Sequence, residues 1–302
     1  MPGPMSANDH QPLASCPLCD SKIAPQPLET YRKDHVVKCR DCGFIYSLLI
    51  PSEADYARVY GGYDYVGEDA ARTPTSIAKE AALAARLADG KTGKVIDVAA
   101  GAGRFLEHFQ ALGWDCTATE FNEAMCRYLE AKGFTAYRGG LFPEGAPDGA
   151  FDIVIFTEII EHINNPMPVL ARLARLLRPG GIIYITTPNW NSIERRALKS
   201  DWGMLCWPEH ITYWTPRHVD RALRQAGFAK RSLKAQNISP YRILQALKQR
   251  GFAANVSEQG FSDAAQSRVA GNLLLGLAKK AVNAALVASG LGSSIEAIYV
   301  KR

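Results

Sequence analysis

Between residues 91 and 237 the chain alternates short apolar runs with amphipathic helical patterns, and this alternation limits the possible folds more than any other feature. The apolar runs that indicate strands are Lys94–Ala99, Asp115–Thr119, Thr135–Tyr137 (the weakest of them), Phe151–Phe156 and Ile182–Thr187. The helical patterns between them cover Arg104–Leu112, Glu123–Lys132 and Pro166–Leu177. Strands that alternate with helices of this length predict βαβ units, and therefore an α/β fold with a parallel sheet buried on both faces.

The composition is that of a globular protein with a full core. The chain has 302 residues, of which 47% are hydrophobic and 22% are charged. Its net charge of +5 tolerates an anionic partner without requiring nucleic acid. The apolar runs are too short for a membrane-spanning helix. Residues 1–13 are polar and proline-rich and lack the apolar core of a secretory signal, so we expect a disordered leader on a cytoplasmic protein.

Four of the seven cysteines form two CxxC pairs, Cys16 with Cys19 and Cys39 with Cys42. Each pair makes a tight turn whose thiolates point at one ion, and two such turns complete a tetrahedral shell. The odd cysteine count and the paired spacing favour a metal in a reducing compartment over disulfides. No coordination position is left for a substrate, so we expect structural Zn2+ in a ribbon module over residues 14–48. The alternatives are unbound thiols or a redox pair, but a redox site has a single CxxC that opens a helix.

The segment from Lys94 to Phe105 reads as a strand, a loop of tiny residues and a helix. Gly101 and Gly103 let a ligand approach the backbone closely, and the helix N-terminus offers unpaired N–H groups. Glu120 ends the next strand, where a carboxylate can accept hydrogen bonds from ribose hydroxyls. A dinucleotide-binding fold explains both features. Tight packing at the loop and helix capping by Asn122 explain them without any ligand.

Three further stretches argue against a dinucleotide fold. The strand within Phe151–Ile163 leads into a short helix with two carboxylates and a histidine. Leu176–Gly181 carries a proline and glycine stop signal before the next strand, and Ala226-Gly227-Phe228 ends a later helix. With the glycine loop and the acid, they resemble the class I S-adenosylmethionine-dependent methyltransferases over residues 75–237.

That resemblance implies a Rossmann-like, seven-stranded, mostly parallel sheet flanked by helices. The cofactor-binding domain would cover residues 91–302, with a sixth strand at Arg231–Asn237 and a last strand at Ile295–Val300. A helical insertion would occupy residues 238–292, and a connector and lid would occupy residues 49–90. The segments around Glu158–Ile163 and Pro208–Trp214 are most similar to enzymes that methylate small molecules, sugars and quinone precursors. The CxxC pairs and the tyrosine-rich connector resemble bacterial members of saccharide or natural-product biosynthesis.

The resemblance also assigns residues to S-adenosylmethionine. They are Asp97, Ala99, Gly101 and Gly103 for the methionine part, Glu120 for the ribose, Phe121, Gly140 and Leu141 for the adenine, Thr157 beside the sulfonium and Tyr63 in the lid. The family usually has glycine in place of Ala99, an exchange that strains the loop only if φ is positive there. The tyrosines of the connector are also compatible with a packed aromatic linker.

Methyl transfer from a sulfonium is an in-line displacement, so the protein mainly aligns the acceptor, the methyl group and the sulfur. An oxygen acceptor must also lose a proton, for which histidine is the best-suited base. We expect His210 to be this base and His162 to be the second candidate, with a structural role for either as the alternative. Glu158 and Glu161 are expected to hold the short helix in place. The remaining histidines show no pattern and are predicted at the surface: His10, His35, His108 and His218.

The acceptor is predicted to be an oxygen or carbon of a sugar, saccharide or natural-product intermediate. Residues 268–291 form an apolar helical pattern, which predicts packing on the body or on a second copy in a homodimer. Contact with a membrane surface, as for a lipid-linked saccharide, is the alternative. An RNA methyltransferase that grips RNA through Arg32, Lys33, Lys38 and Arg40 is a second reading, but this cluster is small and lacks stacking aromatics. A third hypothesis is a binding protein that keeps the methyltransferase fold but does not catalyse the reaction.

Overall fold

The computed structural model describes residues 10–60, 73–143, 145–238 and 273–302. Within these ranges the strands are β1 (Gln26–Pro27), β2 (Val36–Lys38), β3 (Ile45–Ser47), β4 (Lys94–Val98), β5 (Asp115–Glu120), β6 (Thr135–Arg138), β7 (Phe151–Thr157), β8 (Leu177–Pro188), β9 (Thr212–Tyr213), β10 (Phe228–Gln236) and β11 (Ser294–Lys301). The α-helices are α1 (Glu53–Tyr60), α2 (Pro74–Ala88), α3 (Arg104–Ala111), α4 (Glu123–Ala131), α5 (Pro166–Leu176), α6 (Ile193–Leu198), α7 (Pro216–Gln225) and α8 (Leu273–Ser289). Short 3-10 helices cover Glu29–Asp34, Ile160–His162 and Lys199–Asp201.

Seven strands form one large sheet in the order β10, β11, β8, β7, β4, β5, β6. Strand β11 runs antiparallel to both of its neighbours, and all the other pairs are parallel. The central strands are rich in β-branched residues and their side chains are almost fully buried, as expected of a sheet covered by helices on both faces. The predicted seven-stranded, mostly parallel α/β architecture is therefore confirmed.

The stop signal at residues 178–181 does not form the separate loop that its proline and glycines indicate. Strand β8 begins at Leu177, which pairs with Phe151 before the register shifts and Ile182 pairs with Ile153. Gly180 has a positive φ of 77°, and a Cβ on Gly181 would lie 2.9 Å from the Arg178 carbonyl oxygen. Gly180 and Gly181 thus allow a bulge in β8 between its pair with Phe151 and its pair with Ile153, and the strand continues through the bulge.

The insertion predicted before the last strand contains helix α8, which leads into β11. Leu286 on this helix is buried, whereas the side chain of Val282 is exposed. None of the helices within the described ranges has both the length and the apolarity needed to cross a membrane.

A second, antiparallel sheet has the strand order β1, β2, β3, β9. The first three strands flank the CxxC turns, but β9 comes from the chain after the fifth strand of the large sheet. Strand β3 pairs with β9 through Ile45 opposite Tyr213 and Tyr46 opposite Thr212. The cysteine ribbon is therefore continuous by hydrogen bonding with a loop of the large domain.

The order of strands in the large sheet reverses between β4 and β7. The chain steps outward from β4 through β5 to β6, and then returns to place β7 on the other side of β4. In an open parallel sheet, a crevice forms where the carboxyl ends of two such strands diverge, and ligands bind there. Apart from Tyr63, the residues predicted to bind the cofactor lie near the carboxyl ends of β4, β5, β6 and β7 or in the loops that follow them.

Candidate functional site

The loop after β4 is held in a strained, left-handed conformation. Ala99, Gly101 and Gly103 have φ values of 55°, 52° and 72°. For alanine this conformation costs about 1–2 kcal/mol, so the strain foreseen for a positive φ is present. The Ala99 N–H donates to Thr119 Oγ1 at 3.1 Å and the Ala100 N–H donates to the Thr119 carbonyl at 2.9 Å. These two bonds to β5 hold the loop in the strained form.

Gly103 is required by space as well as by its φ. A Cβ built on Gly103 would lie 2.6 Å from Leu129 Cδ2 and 3.1 Å from Phe134 Cε2. The residue precedes helix α3 and brings the helix N-terminus against the second βα unit. A larger residue at this position would push α3 away from Leu129 and Phe134.

The Glu120 carboxylate ties the loops after β4 and β5 together. It is 6% exposed, and its Oε2 accepts a hydrogen bond from the Gly101 N–H at 3.0 Å. Its Oε1 accepts from the N–H groups of Phe121 and Asn122 at 2.8 and 3.0 Å. A carboxylate has about four lone-pair positions, so one remains to accept from a sugar hydroxyl. The carboxylate is thus oriented before any ligand arrives.

Asp97 lies beneath the same loop on β4 and is 3% exposed. Burial, with a smaller effect from the Glu120 charge, raises the pKa of Asp97 to about 8. At neutral pH the carboxyl is therefore mostly protonated when no cation is near. A ligand with a positive charge in the crevice would favour the ionised form.

The predicted adenine side is an open shelf beside β5 and β6. The Phe121 side chain is 77% exposed, which is unusual for phenylalanine. Leu141 is half-buried, its carbonyl accepts from Thr119 Oγ1 at 3.3 Å, and a Cβ on Gly140 would make only ordinary contacts. Tyr63, predicted in the lid, lies outside the described residues.

His162 and His210, predicted as candidate bases, are in contact. Their ring centroids are 4.7 Å apart with an interplanar angle of 83°. The Nδ1–H of His162 donates to the Glu209 carbonyl and that of His210 donates to the Met204 carbonyl, each at 3.0 Å. Burial lowers the pKa of both rings, to about 4 for His162. Both histidines are therefore neutral at pH 7. Because Nδ1 of His210 carries the hydrogen, its Nε2 carries a lone pair.

Glu161 joins this pair at the carboxyl end of β7. It is 2% exposed, and its Oε2 accepts from Thr187 Oγ1 at 2.9 Å. Its Oε1 is buried and accepts no hydrogen bond from the described part of the chain. Burial, then the nearby Glu158 charge, raises the pKa of Glu161 well above its usual value. A buried oxygen without a partner is costly unless a ligand completes it.

One ligand atom each from Glu161, His162 and His210 lies within 4.8 Å of the others. Two imidazoles and a carboxylate form a donor set for a divalent cation. From the sequence, Glu161 is expected to hold the short helix in place. The grouping of the three residues is not predicted, because His210 follows His162 by 48 residues and only folding brings the two close. The adjacent Glu161 and His162 directly after a buried strand were the available signal.

The four cysteines of the ribbon meet at one point. Their Sγ atoms all lie within 4.8 Å of one another, and Cys16–Cys42 and Cys19–Cys39 are each separated by 3.7 Å. These separations are far longer than a disulfide bond. The hydrogen bond with Cys16 lowers the pKa of the Cys42 thiol to about 5. The same hydrogen bond, together with burial, raises the pKa of the Cys16 thiol. The arrangement of four sulfur atoms around a single point suits a tetrahedral metal ion.

The prediction that the remaining histidines lie at the surface is wrong; His10, His35, His108 and His218 are all buried or half-buried. His218 is 5% exposed, and its ring nitrogens hydrogen-bond Thr215 Oγ1 at 3.0 Å and the Cys42 carbonyl at 3.4 Å. His10 pairs with the Asp55 carboxylate at 2.7 Å. Cys42 and Asp55 lie far from these histidines in the sequence, so no local pattern reveals the two pairings.

Comparison with known proteins identifies the larger part of the chain. Residues 70–233 match a family model described as a methyltransferase domain. Ubiquinone biosynthesis O-methyltransferase of Rhodopseudomonas palustris (strain BisB5) is 30% identical over 145 residues, which cover 44% of this chain and 57% of that protein. The enzyme of the same name from Bradyrhizobium sp. (strain ORS 278) is 30% identical over 131 residues, 41% of this chain and 49% of that protein. The chain thus spans about half the length of these relatives.

A solved structure also shares the fold. A chain from the complex of the Haloferax volcanii Trm112 methyltransferase activator with a methyltransferase is 17% identical and has a TM-score of 0.52. The match covers 83% of the chain described here and 98% of that chain. At this identity the likeness shows the fold alone.

Proposed function

Because this chain belongs to the methyltransferase-domain family, whose model covers more than half of it, we propose that it transfers a methyl group from S-adenosylmethionine to a small molecule. The acceptor atom we propose is a hydroxyl oxygen. The relatives named as O-methyltransferases support oxygen over carbon or nitrogen.

The strained loop and the anchored acid support the cofactor assignment. S-adenosylmethionine supplies an electrophilic methyl group on a sulfonium. The positive φ of Gly101 and Gly103 shapes the loop to which we assign its amino-acid tail, and Glu120 keeps one acceptor position that we assign to a ribose hydroxyl. Asp97 would gain charge beside the cationic tail, Thr157 would lie near the sulfonium, and Phe121, Gly140 and Leu141 would enclose the adenine. Tyr63 stays a predicted contact of the lid.

The observation that carries the oxygen-acceptor proposal is the meeting of Glu161, His162 and His210 beside the end of β7. A hydroxyl must lose its proton as the methyl group is transferred, and His210 offers a lone pair at this place. Its lowered pKa makes it a weak base in the unliganded protein.

A divalent cation bound by Glu161, His162 and His210 would remove this difficulty. A cation lowers the pKa of a bound hydroxyl, so a weak base then suffices. It would also satisfy the buried Glu161 Oε1. We therefore propose that the acceptor hydroxyl loses its proton at this site. Either His210 accepts the proton, or a cation held by Glu161, His162 and His210 would lower the pKa of the hydroxyl enough for water to accept it.

The test is a methyl-transfer assay with isotope-labelled donor and a panel of acceptors. The panel contains phenolic quinone precursors, sugars, lipid-linked saccharides and RNA, and each is assayed after chelation and after return of Mg2+, Mn2+ or Zn2+. Label on a phenol or sugar oxygen supports the proposal, and label only on RNA supports the other class. Absence of S-adenosylhomocysteine binding by calorimetry refutes it. Dependence on an added cation distinguishes the two routes of deprotonation.

For the ribbon we propose a structural Zn2+ bound by Cys16, Cys19, Cys39 and Cys42. The mutual distances of the sulfur atoms support this assignment. Elemental analysis of the purified protein should give one zinc per chain, released by a thiol-reactive reagent. A Cys39→Ser variant with unchanged zinc content would refute it.

We also propose that the protein forms a homodimer and that residues 268–291 contact a membrane surface. Membrane contact is tested by sedimentation with anionic vesicles of the protein with and without these residues, and equal binding rejects it. The homodimer is tested by light scattering of the same two proteins.

A further inference from the structure

The ribbon is joined by backbone hydrogen bonds to the segment that carries His210. The Ser47 N–H at the end of β3 donates to the Ile211 carbonyl at 2.8 Å. The Ile211 N–H donates in turn to the Glu161 carbonyl at 2.9 Å. Ile211 directly follows His210, so the ribbon strand and the backbone of Glu161 hold this segment from its two sides.

The second cysteine turn packs against the same segment. Phe44 lies two residues after Cys42, is fully buried, and its carbonyl accepts from the Cys39 N–H at 2.8 Å. Its ring centroid lies 4.8 Å from that of Trp214. A metal ion bound by the four cysteines would fix the backbone of the turn, and the contact of Phe44 with Trp214 would then help to fix the residues after His210.

The ribbon also holds the beginning of this segment. The Trp207 backbone N–H donates to Asp34 Oδ1 at 3.2 Å, and its indole N–H donates to the Leu49 carbonyl at 3.4 Å. Residues 207–214 are therefore fixed at both ends by the chain between Asp34 and Leu49. The histidine at the centre of this segment depends on those contacts for its position.

The ribbon takes no part in the hydrogen bonds that orient Glu120 and the loop after β4. These bonds join residues between 99 and 122, all within the large domain. The site thus has two halves, of which one is built within the large sheet and the other is completed by the ribbon.

We propose that the four-cysteine ribbon is a positioning element of the acceptor half of the site, and that its metal is needed for turnover and not for cofactor binding. Ser47 and Phe44 are the positioning residues. This inference rests on the proposed methyl transfer. A shift of about 1 Å in a group that must meet the acceptor can cost about 100-fold in rate.

The experiment compares full-length protein as purified, after metal removal with a chelator, and after reloading with Zn2+. Removal should lower turnover by roughly 100-fold and leave the Kd for S-adenosylhomocysteine within about 3-fold. Amide hydrogen exchange of residues 211–214 should become faster, while that of β4 and β5 stays the same. Reloading should restore both turnover and protection.

Two variants and a control keep the test independent of chelator effects. Cys39→Ser should reproduce the metal-free state. Phe44→Leu keeps all four ligands, so it should retain zinc but lose part of the turnover and of the protection at 211–214. Cys116→Ser is the control, because its thiol lies in the large sheet against the Leu106 carbonyl. It should leave turnover and zinc content unchanged.

The outcomes separate the two claims. Unchanged turnover, or unchanged exchange at 211–214, in the metal-free protein overturns the positioning role. Parallel loss of S-adenosylhomocysteine affinity and turnover also overturns it, because the ribbon would then stabilise the whole domain. If the zinc-loaded protein binds no S-adenosylhomocysteine at all, the proposed function itself fails.

Discussion

Replacing Glu120 by alanine tests the cofactor site most directly. The variant removes the acceptor proposed for a ribose hydroxyl and also the acceptor of three backbone N–H groups, those of Gly101, Phe121 and Asn122. A hydrogen bond to a charged group contributes about 1.5–3 kcal/mol, so losing the one to the ribose should weaken S-adenosylhomocysteine binding by about 10- to 150-fold.

The same change should also lower the stability of the unliganded protein. Three hydrogen bonds to one carboxylate are lost, but water can reach the exposed loop and replace part of them. We expect the free energy of unfolding to fall by about 2–4 kcal/mol. Calorimetric titration gives the affinity, and urea denaturation monitored by tryptophan fluorescence gives the stability.

Glu123→Ala is the matched control. Glu123 is three residues away, carries the same charge, and forms surface ion pairs with Arg127 and Arg138 at 2.8 Å. Exposed pairs of this kind contribute about 0–1 kcal/mol, so this variant should bind almost normally. Wild-type affinity in Glu120→Ala, or an equal loss in both variants, would show that Glu120 does not contact the ligand.

Three other variants test separate parts of the site. Gly103→Ala should lower the free energy of unfolding by about 2–4 kcal/mol in a urea titration, because its Cβ would lie 2.6 Å from Leu129 and φ is positive; normal stability would contradict the packing argument. Asp97 has a pKa raised to about 8, so the folded state binds more protons than the unfolded state between about pH 4 and 8. Stability should therefore fall as pH rises through that window, by up to about 1.4 kcal/mol per unit, and Asp97→Asn should abolish this slope in denaturation curves measured at several pH values. His210→Ala should lower turnover by about 100-fold or more with S-adenosylhomocysteine affinity unchanged, and normal turnover would exclude the histidine from deprotonation.

The local sequence pattern is sufficient to predict the large sheet and the position of the cofactor crevice. The alternation of buried strands and amphipathic helices is a property of neighbouring residues, and burial on both faces leaves a parallel sheet as the solution. Gly101, Gly103 and Glu120 are predictable because they lie at or just beyond the carboxyl ends of β4 and β5, and the ends of parallel strands meet at one edge of the sheet. The two CxxC pairs predicted a four-sulfur cluster because thiolates at that spacing share a centre.

Only the tertiary structure decided which residues share the acceptor side. Glu161 and His210 lie together where the Ile211 N–H donates to the Glu161 carbonyl and β9 pairs with the ribbon strand β3, a contact between segments separated by more than 160 residues. The burial of His218 and the positive φ of Ala99 have the same kind of cause, since a distant partner or a neighbouring strand sets each of them. Long-range pairing follows from the packing of the whole chain, so no window of sequence contains it.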